Sequence, residues 1–364
     1  MAGFVELLAG ISDAIRQCGG EPFLFPAMGS HGGATAEGQA EVVRRLGVND
    51  ESVRAPIRAT METVDLGASE SGAHAHLDAI VAQADGVIAL GCVKTHPEST
   101  ERIASGLLKI TTVGLGKQEG ARQAHSNGLW PSVEAVPKLT LAHTNMLFGV
   151  AVVENGYRQV AQIEVVPGTY QAFLETDMRL LEVAKTHFAK IPFEHLDLLI
   201  VDAMGKNFAG TGMDVNVIGT WRVHGGPRKP NYRRIVPLSL TAPSLGNAIG
   251  LGISDFTTQR VMDEYDPWVT YVNIVTASEP GGDSSFEGGM PFVLPTDRDA
   301  IEVGLYSAVP QGAPRVCRIK STAHLEEFWI SPGLLEEAAT ISSLSVEDAP
   351  SPLPYDSVGN LIEA

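Results

Sequence analysis

The sequence predicts an α/β fold made of two α/β lobes facing each other across a cleft. Two observations carry this. The apolar runs Gly86 to Val93 (GVIALGCV) and Leu196 to Asp202 (LDLLIVD) each read as a buried strand. Each runs into a glycine-rich loop carrying polar residues, so one device occurs twice in a chain of 364 residues, long enough for two domains of ordinary size. The expected division is an N-terminal α/β domain over 1–191, a C-terminal α/β domain over 192–341 and a tail over 342–364.

Taken in order, Met1 to Cys18 has apolar residues at Phe4, Leu7, Leu8, Ile11, Ala14 and Ile15, a helical period stopped by Gly19-Gly20. The chain opens directly on this helix, and because a doubly wound domain normally begins with a strand, a first strand is expected ahead of Met1. Phe23 to Phe25 reads as a short strand entering PAMGSHGGATAEGQ, followed by a helix from about Thr35 to Leu46 closed by Gly47. His74 and His76 fall in a polar stretch, read as surface, that leads into a helix from Leu77 to Ala84. Glu119 to Leu129 looks helical. Val133 to Gly168 reads as short strands and turns, with Asn155-Gly156 a hairpin signal. A long amphipathic helix spans Tyr170 to Lys190, and Ile191-Pro192 marks the boundary. In the second domain, strands are expected at Leu196 to Asp202, Arg233 to Leu240, Val269 to Val275 and Val316 to Lys320. Helices are expected at Leu245 to Gly250, Thr257 to Glu264 and Asp297 to Ala308. The Pro-containing tail from Ser342 reads as draped or disordered.

Bulk properties exclude several partners. With 26 Lys and Arg against 43 Asp and Glu, the chain carries −17 and would repel a phosphate backbone or an anionic membrane, so no nucleic acid and no membrane is expected. No apolar run approaches the roughly 20 residues that cross a bilayer, and no basic segment precedes an apolar core at the N-terminus, which points to the cytoplasm. Three widely spaced cysteines, Cys18, Cys92 and Cys317, argue against a disulfide framework or a Cys-ligated metal.

The stretch from Gly91 to His125 concentrates the chemistry. It holds two histidines, three lysines and five glycines, straight after a strand, where open α/β sheets bind ligands. Gly106, Gly114, Gly116 and Gly120 would let a backbone approach a bulky phosphorylated group. Histidines and lysines in such loops are usually solvated; their clustering singles these out. His31, between Gly29 and Gly32-Gly33 on the preceding loop, becomes a candidate acid–base partner for His96, because neighbouring strand ends converge.

The motif words PAMGSHGG around His31, VKTHPE around His96, SGLLK around Lys109, GLGKQEGARQAH ending at His125 and GTGMDVNVIGTWR in the second domain resemble the lactate racemase family of nickel-pincer enzymes. The resemblance runs from about Gly3 to about Ala308. It implies a cofactor and substrate cleft between two α/β lobes. The implied cofactor is the nickel-pincer nucleotide, pyridinium-3,5-bisthiocarboxylic acid mononucleotide with Ni(II), which is installed by cofactor-synthesis and loading enzymes. By position, Lys109 would be the covalent anchor, Ser105, Gly106, Gly114, Gly116 and Lys117 would line the cofactor, and His125 would complete the nickel square, a donor set suited to Ni(II). His31 and His96 would act as alternating base and acid on a 2-hydroxy acid. The α-hydrogen would leave as hydride to the pincer carbon and return to the other face, inverting the centre; imidazole suits both directions near neutrality. Asp214, Asn216 and Arg222 would hold the substrate, Arg222 as a fork for the carboxylate.

Two departures from the family pattern stand out. An arginine expected in the loop that ends the first strand, where the resemblance implies it helps hold cofactor and substrate, would fall just before Met1. In the second lobe Ile218 and Gly219 replace a tyrosine–glutamine pair and Arg222 a lysine, which predicts a roomier pocket and an acid larger than lactate, with Trp221 as an apolar wall. Two other readings remain: a hydrolase or lyase in which His31, His96 and His125 bind zinc directly, and a non-catalytic homologue that binds a nucleotide or a small acid.

Overall fold

The computed structural model describes residues 3–96, 102–157, 159–277 and 289–362. Met1 and Ala2 of the first predicted helix, Pro97 and Glu98 of the His96 motif and the last two residues of the tail lie outside them. The chain is α/β and divides into two compact units, Met1–Phe188 and Ala189–Ala364.

The first unit begins with α1 (Phe4–Gln17) and α2 (Ala36–Arg45), whose Thr35 cap accepts the Gly38 N–H at 3.0 Å. The expected strand at Phe23 to Phe25 reduces to one parallel bridge, Leu24 to Ile57. A hairpin follows, β1 (Thr63–Ala68) and β2 (His74–Asp78), where the sequence predicted a polar lead into a helix. The reason is period two: Ala73, Ala75 and Leu77 point inward and are buried, while His74 is exposed and His76 half-buried. Strand β3 (Val87–Cys92) is the apolar run, paired in parallel with β4 (Met146–Glu154), which turns at Asn155-Gly156 into antiparallel β5 (Val160–Pro167).

The crossover from β3 to β4 carries α3 (Leu107–Lys109), a π-type turn (Ile110–Gly114), α4 (Lys117–Ser126) and α5 (Leu129–Ala142). The last of these replaces expected strands and turns. Gly128, at φ 84°, starts it, and Pro131 sits in the first turn where no backbone N–H is missed, so only Pro137 removes an internal bond. Helix α6 (Tyr170–His187) covers β4 and β5, and Leu107, Val133, Ala151, Phe173 and Leu180 lie in the core between them.

The second unit is built on a four-stranded sheet in the order β11-β10-β6-β7, with β10, β6 and β7 parallel and β11 antiparallel. These are β6 (His195–Val201), β7 (Asn231–Pro237), β10 (Val316–Ser321) and β11 (His324–Ile330). Between β6 and β7 lie the short helices α7 (Val215–Ile218) and α8 (Trp221–His224). Beyond β7 come β8 (Phe256–Thr258), α9 (Gln259–Glu264), α10 (Pro267–Ala277), β9 (Phe292–Leu294) and α11 (Asp297–Ala308), and α12 (Leu335–Ala338) follows β11. Helix α10 occupies the predicted strand Val269 to Val275. Asp266 Oδ1 accepts the Trp268 and Val269 N–H groups at 2.8 and 3.1 Å and Pro267 opens the first turn, so the cap overrides the β-branched composition. The predicted helix at Leu245 to Gly250 is a run of turns, because Leu245 (φ 51°), Gly246 (φ 82°) and Gly250 (φ 84°) are left-handed. Residues 342–362 drape on this unit: the Leu361 N–H reaches Asp297 Oδ2 at 2.8 Å, and Leu353, Tyr355 and Leu361 join the core of Leu198, Ile200, Val236 and Ile301.

Candidate functional site

The first unit's chemistry is assembled by the crossover. Beyond β3 the backbone at Lys94 bridges Ser105, whose N–H reaches the Lys94 carbonyl at 3.3 Å, so the two ends of the loop carrying His96 are tied together. Helix α3 then starts on the Asp177 carboxylate of α6, which accepts the N–H groups of Leu107 at 2.9 Å and Leu108 at 2.8 Å. Burial pushes the Asp177 carboxyl up to about 6, against the opposing pull of those two N–H donors. The Thr111 and Thr112 hydroxyls donate back to the Leu107 and Leu108 carbonyls, and Leu115 N–H bonds the Ile110 carbonyl at 2.8 Å. A π-type turn thus follows Lys109 directly, a deviation that recurs at functional sites.

Lys109, half-buried, holds its ammonium 5.4 Å from the centre of the Trp130 ring, and the His96 ring meets Trp130 edge-on at 5.2 Å. Burial, then the positive charges of Lys109 and Lys94 and the His125 ring, push the His96 imidazole down to about 3, so it is neutral at physiological pH. His125, half-buried, stands in the last turn of α4. Lys109 and His96 therefore share the Trp130 ring, and His125 is an electrostatic neighbour of His96. Trp130, Lys94 and Asp177 were not singled out from the sequence, since nothing local marks a Trp after a helix start or an Asp 68 residues beyond Lys109.

His31 is exposed at the tip of its loop, with Nδ1 2.6 Å from the Met28 carbonyl. A donating Nδ1 leaves Nε2 as the lone-pair nitrogen of the neutral ring. Gln39 Nε2 donates to the Gly29 carbonyl at 2.7 Å, and a Cβ at Gly29 would meet Val113 and Ala121, so this loop is seated against the π-type turn and α4.

Several expected contacts are corrected. Lys117 does not face a cofactor: it is wholly buried, with Nζ 2.9 Å from Asp78 Oδ2, 2.6 Å from the Pro26 carbonyl and 3.1 Å from Gln39 Oε1. The glycines are filled by protein. A Cβ at Gly106 would lie 2.5 Å from Asp177 Cγ, at Gly114 2.9 Å from the Ala27 carbonyl oxygen, and at Gly116 2.8 Å from Gly120 Cα. None of the three presents an open cradle for phosphate.

In the second unit Asp214 caps α7, accepting the Asn216 N–H and side-chain amide at 2.9 Å each. Arg222 is not a free clamp. Only 8% of its side chain is exposed; it donates to the Ile253 and Tyr232 carbonyls at 2.9 and 2.7 Å, lies 3.1 Å from Asp255 and covers Trp221. Gly219 does not open a larger pocket either. A Cβ there would fall 2.6 Å from Trp221 Nε1, which itself donates to the Pro230 carbonyl at 2.7 Å, so Trp221 is a packing anchor.

Among the described residues no three His, Cys, Asp or Glu side chains converge as metal ligands, so His31, His96 and His125 are not arranged as a three-histidine zinc site. Among the described residues, too, no helix is long and apolar enough to cross a membrane.

No family model and no curated protein matches the chain. Seven solved chains match, among them a Thermotoga maritima protein determined by a structural genomics consortium, at 14% identity and a TM-score of 0.49 over 65% of this chain and 62% of that one. The chain thus spans about 62% of that protein's length, and a likeness at this level does not specify a shared fold.

Proposed function

We propose that the chain is an isomerase of the lactate racemase type, inverting the α-carbon of a 2-hydroxy acid with a nickel-pincer nucleotide tethered to Lys109. The observation that carries this is the meeting of Lys109 and His96 at the Trp130 ring, with His125 near enough to act electrostatically on His96. The fit is good for the anchor and the metal ligand: an amine on one helix and an imidazole on the next, electrostatic neighbours of the same histidine. It is poor for the phosphate, since Gly106, Gly114, Gly116 and Lys117 are engaged within the protein. When bound, the cofactor supplies reversible hydride acceptance at carbon.

The chain's own residues would do the rest. Lys109 would hold the group through its side-chain nitrogen and His125 would offer a ring nitrogen to the metal. His96, neutral through burial and positive neighbours, can take the substrate hydroxyl proton, and an anionic substrate beside it raises its proton affinity. His31, with Nδ1 on the Met28 carbonyl, would offer Nε2 for the same transfer in the other direction. Trp130 would keep water from both the anchor and the base. The reading keeps the chain in the cytoplasm with cofactor-synthesis enzymes as loading partners.

The test is co-expression with those enzymes followed by peptide mapping and racemisation assays on enantiopure 2-hydroxy acids. An adduct on Lys109 is expected, together with His96→Ala protein that carries the adduct but no longer racemises. An adduct on Lys94, or none, overturns the proposal.

A further inference from the structure

The amino end of β7 gathers positive charge that the racemase reading does not use. Arg228, Asn231, Arg233, Arg234, Ala308 and Val309 line one open cavity of about 430 Å³ in the second unit, a size ordinary for small-ligand sites. Because β7 begins at Asn231, this cavity lies at the opposite end of the strand from the carboxyl edge where open α/β sheets hold their ligands.

Two of its guanidiniums are anchored by the end of α11. Arg233 Nη1 donates to the Ala308 and Val309 carbonyls at 2.8 and 3.2 Å. Arg234 donates from Nε to Ser307 Oγ at 2.9 Å, from Nη2 to the Ser307 carbonyl at 3.0 Å and from Nη1 to the Arg233 carbonyl at 2.9 Å. Capping the last turn of a helix is an ordinary task for arginine. It accounts for these bonds and not for the rest of the cluster. Nε and Nη2 of Arg233 make no hydrogen bond among the described residues. Arg228 is exposed and lies 5.0 Å from the centre of the Trp221 ring; its guanidinium makes no hydrogen bond and no ion pair among the described residues. Asn231, lining the same cavity, keeps a buried Oδ1 that no group among the described residues satisfies.

The carboxylates beside this cluster do not balance it. Asp197 lies 3.8 Å from Arg233, and Asp255 lies 3.8 Å from Arg234 while already pairing with Arg222 at 3.1 Å. Lys229 has Glu194 at 3.9 Å. Burial holds the Arg222 guanidinium below its ordinary value, and against the pull of Asp255 the charges of Arg234 and Arg228 push the same way. Arg222, Arg228, Arg233 and Arg234 thus face only Asp197 and Asp255, in a chain that carries −17 overall. That excess of about two positive charges matches a phosphate monoester, which carries about −1.5 to −2 near neutrality. The flat fork of arginine also meets phosphate oxygens in pairs.

We propose that this cavity binds a small phosphate monoester, with Arg228 and Arg233 gripping the phosphate oxygens and Arg234 supplying charge behind them. The site does not rest on the racemase reading.

The experiment is calorimetric titration of the full chain with glycerol 3-phosphate, and with glycerol and malate as comparisons. Glycerol 3-phosphate should bind saturably at one site, glycerol should give no signal, and malate, a dianion without a phosphate, should bind more weakly. Arg228→Met should weaken glycerol 3-phosphate binding roughly tenfold to a hundredfold, the span expected for a charge-assisted hydrogen bond. Its melting temperature should match the parent's, because the Arg228 side chain makes no hydrogen bond that holds the fold. Arg228→Lys keeps the charge and loses the fork, so its affinity should fall between those of the parent and Arg228→Met. Equal affinity in Arg228→Met and parent protein overturns the proposal, as does the absence of saturable binding to the parent at tens of millimolar. Malate binding as tightly as glycerol 3-phosphate overturns the assignment to phosphate.

Discussion

Lys117→Met should be among the most damaging single changes in the first unit, although Lys117 is predicted from its motif to touch a cofactor. Lys117 and Asp78 are both 0% exposed and 2.9 Å apart. The same ammonium also donates to the Pro26 carbonyl and to Gln39 Oε1, so it joins α4 to β2, α2 and the loop of His31. Removing one partner of a buried pair leaves an uncompensated charge and costs about 3–5 kcal/mol. The two orphaned acceptors place the expected loss at the upper end of that range. Lys117 has φ 52°, which methionine would share, so the comparison isolates the charge from the backbone. At a urea slope of about 2–3 kcal/mol/M for a unit of this size, the midpoint should fall by roughly 1–2 M. Hydrogen exchange should also quicken over residues 26–31, whose anchor is lost. In Asp78→Asn/Lys117→Met the stranded carboxylate is gone, and about 2 kcal/mol should return. A midpoint shift below about 0.3 M, or a double variant no more stable than Lys117→Met, would refute the reasoning.

Asp177 titrates in the folded state near 6 rather than 3.8, so the folded protein binds the proton more tightly and this group's contribution to stability is lost as pH rises through that window. The stability difference between parent and Asp177→Asn should therefore be largest below pH 3.8 and shrink by ~3 kcal/mol by pH 7; a difference independent of pH in calorimetric melts contradicts the burial argument. Gly106→Ala pushes a methyl onto the Asp177 carboxylate and should lower stability by about 1–3 kcal/mol, the usual range for overpacking; an unchanged melting temperature would mean that α3 can shift freely. Arg222→Met breaks a buried pair with Asp255 and two carbonyl bonds, so it should destabilise by about 3–5 kcal/mol while the folded fraction binds acids as the parent does. A stable Arg222→Met protein that no longer binds acids would restore Arg222 as the clamp.

The elements legible in the sequence are those whose pattern is unambiguous within a few residues. The β3 run is apolar throughout and β6 is apolar from Leu198 to Val201, where it is buried on both faces, and α6 and α11 show a helical period. The misread elements are those where a weak local preference was overruled. In Ala73-His74-Ala75-His76-Leu77 the apolar members are mostly alanine, so the period-two signal is faint although the alternation is strict. In α10 the β-branched residues suggest a strand, while the decisive Asp266-Pro267 cap occupies only two positions.

The site divides along a different line. The crossover brings the His96 and Lys109 motif words to one Trp130 ring, whereas His31 bonds the Met28 carbonyl of its own loop. What each polar group faces was not legible, because it depends on burial set by distant parts of the chain. Lys117 and Lys109 stand eight residues apart with similar local surroundings, yet the first meets Asp78 across the fold and the second the face of Trp130. Gly106, read as room for a phosphate, is room for Asp177, whose carboxylate takes the helix-start N–H groups an anion would otherwise seek. The same rule holds for Arg222: the guanidinium with its flat fork is drawn into the packed interior, where it donates to the Tyr232 and Ile253 carbonyls and pairs with Asp255. A sequence motif therefore locates chemistry more reliably than it assigns it, and the assignment turns on which donors the fold has already used.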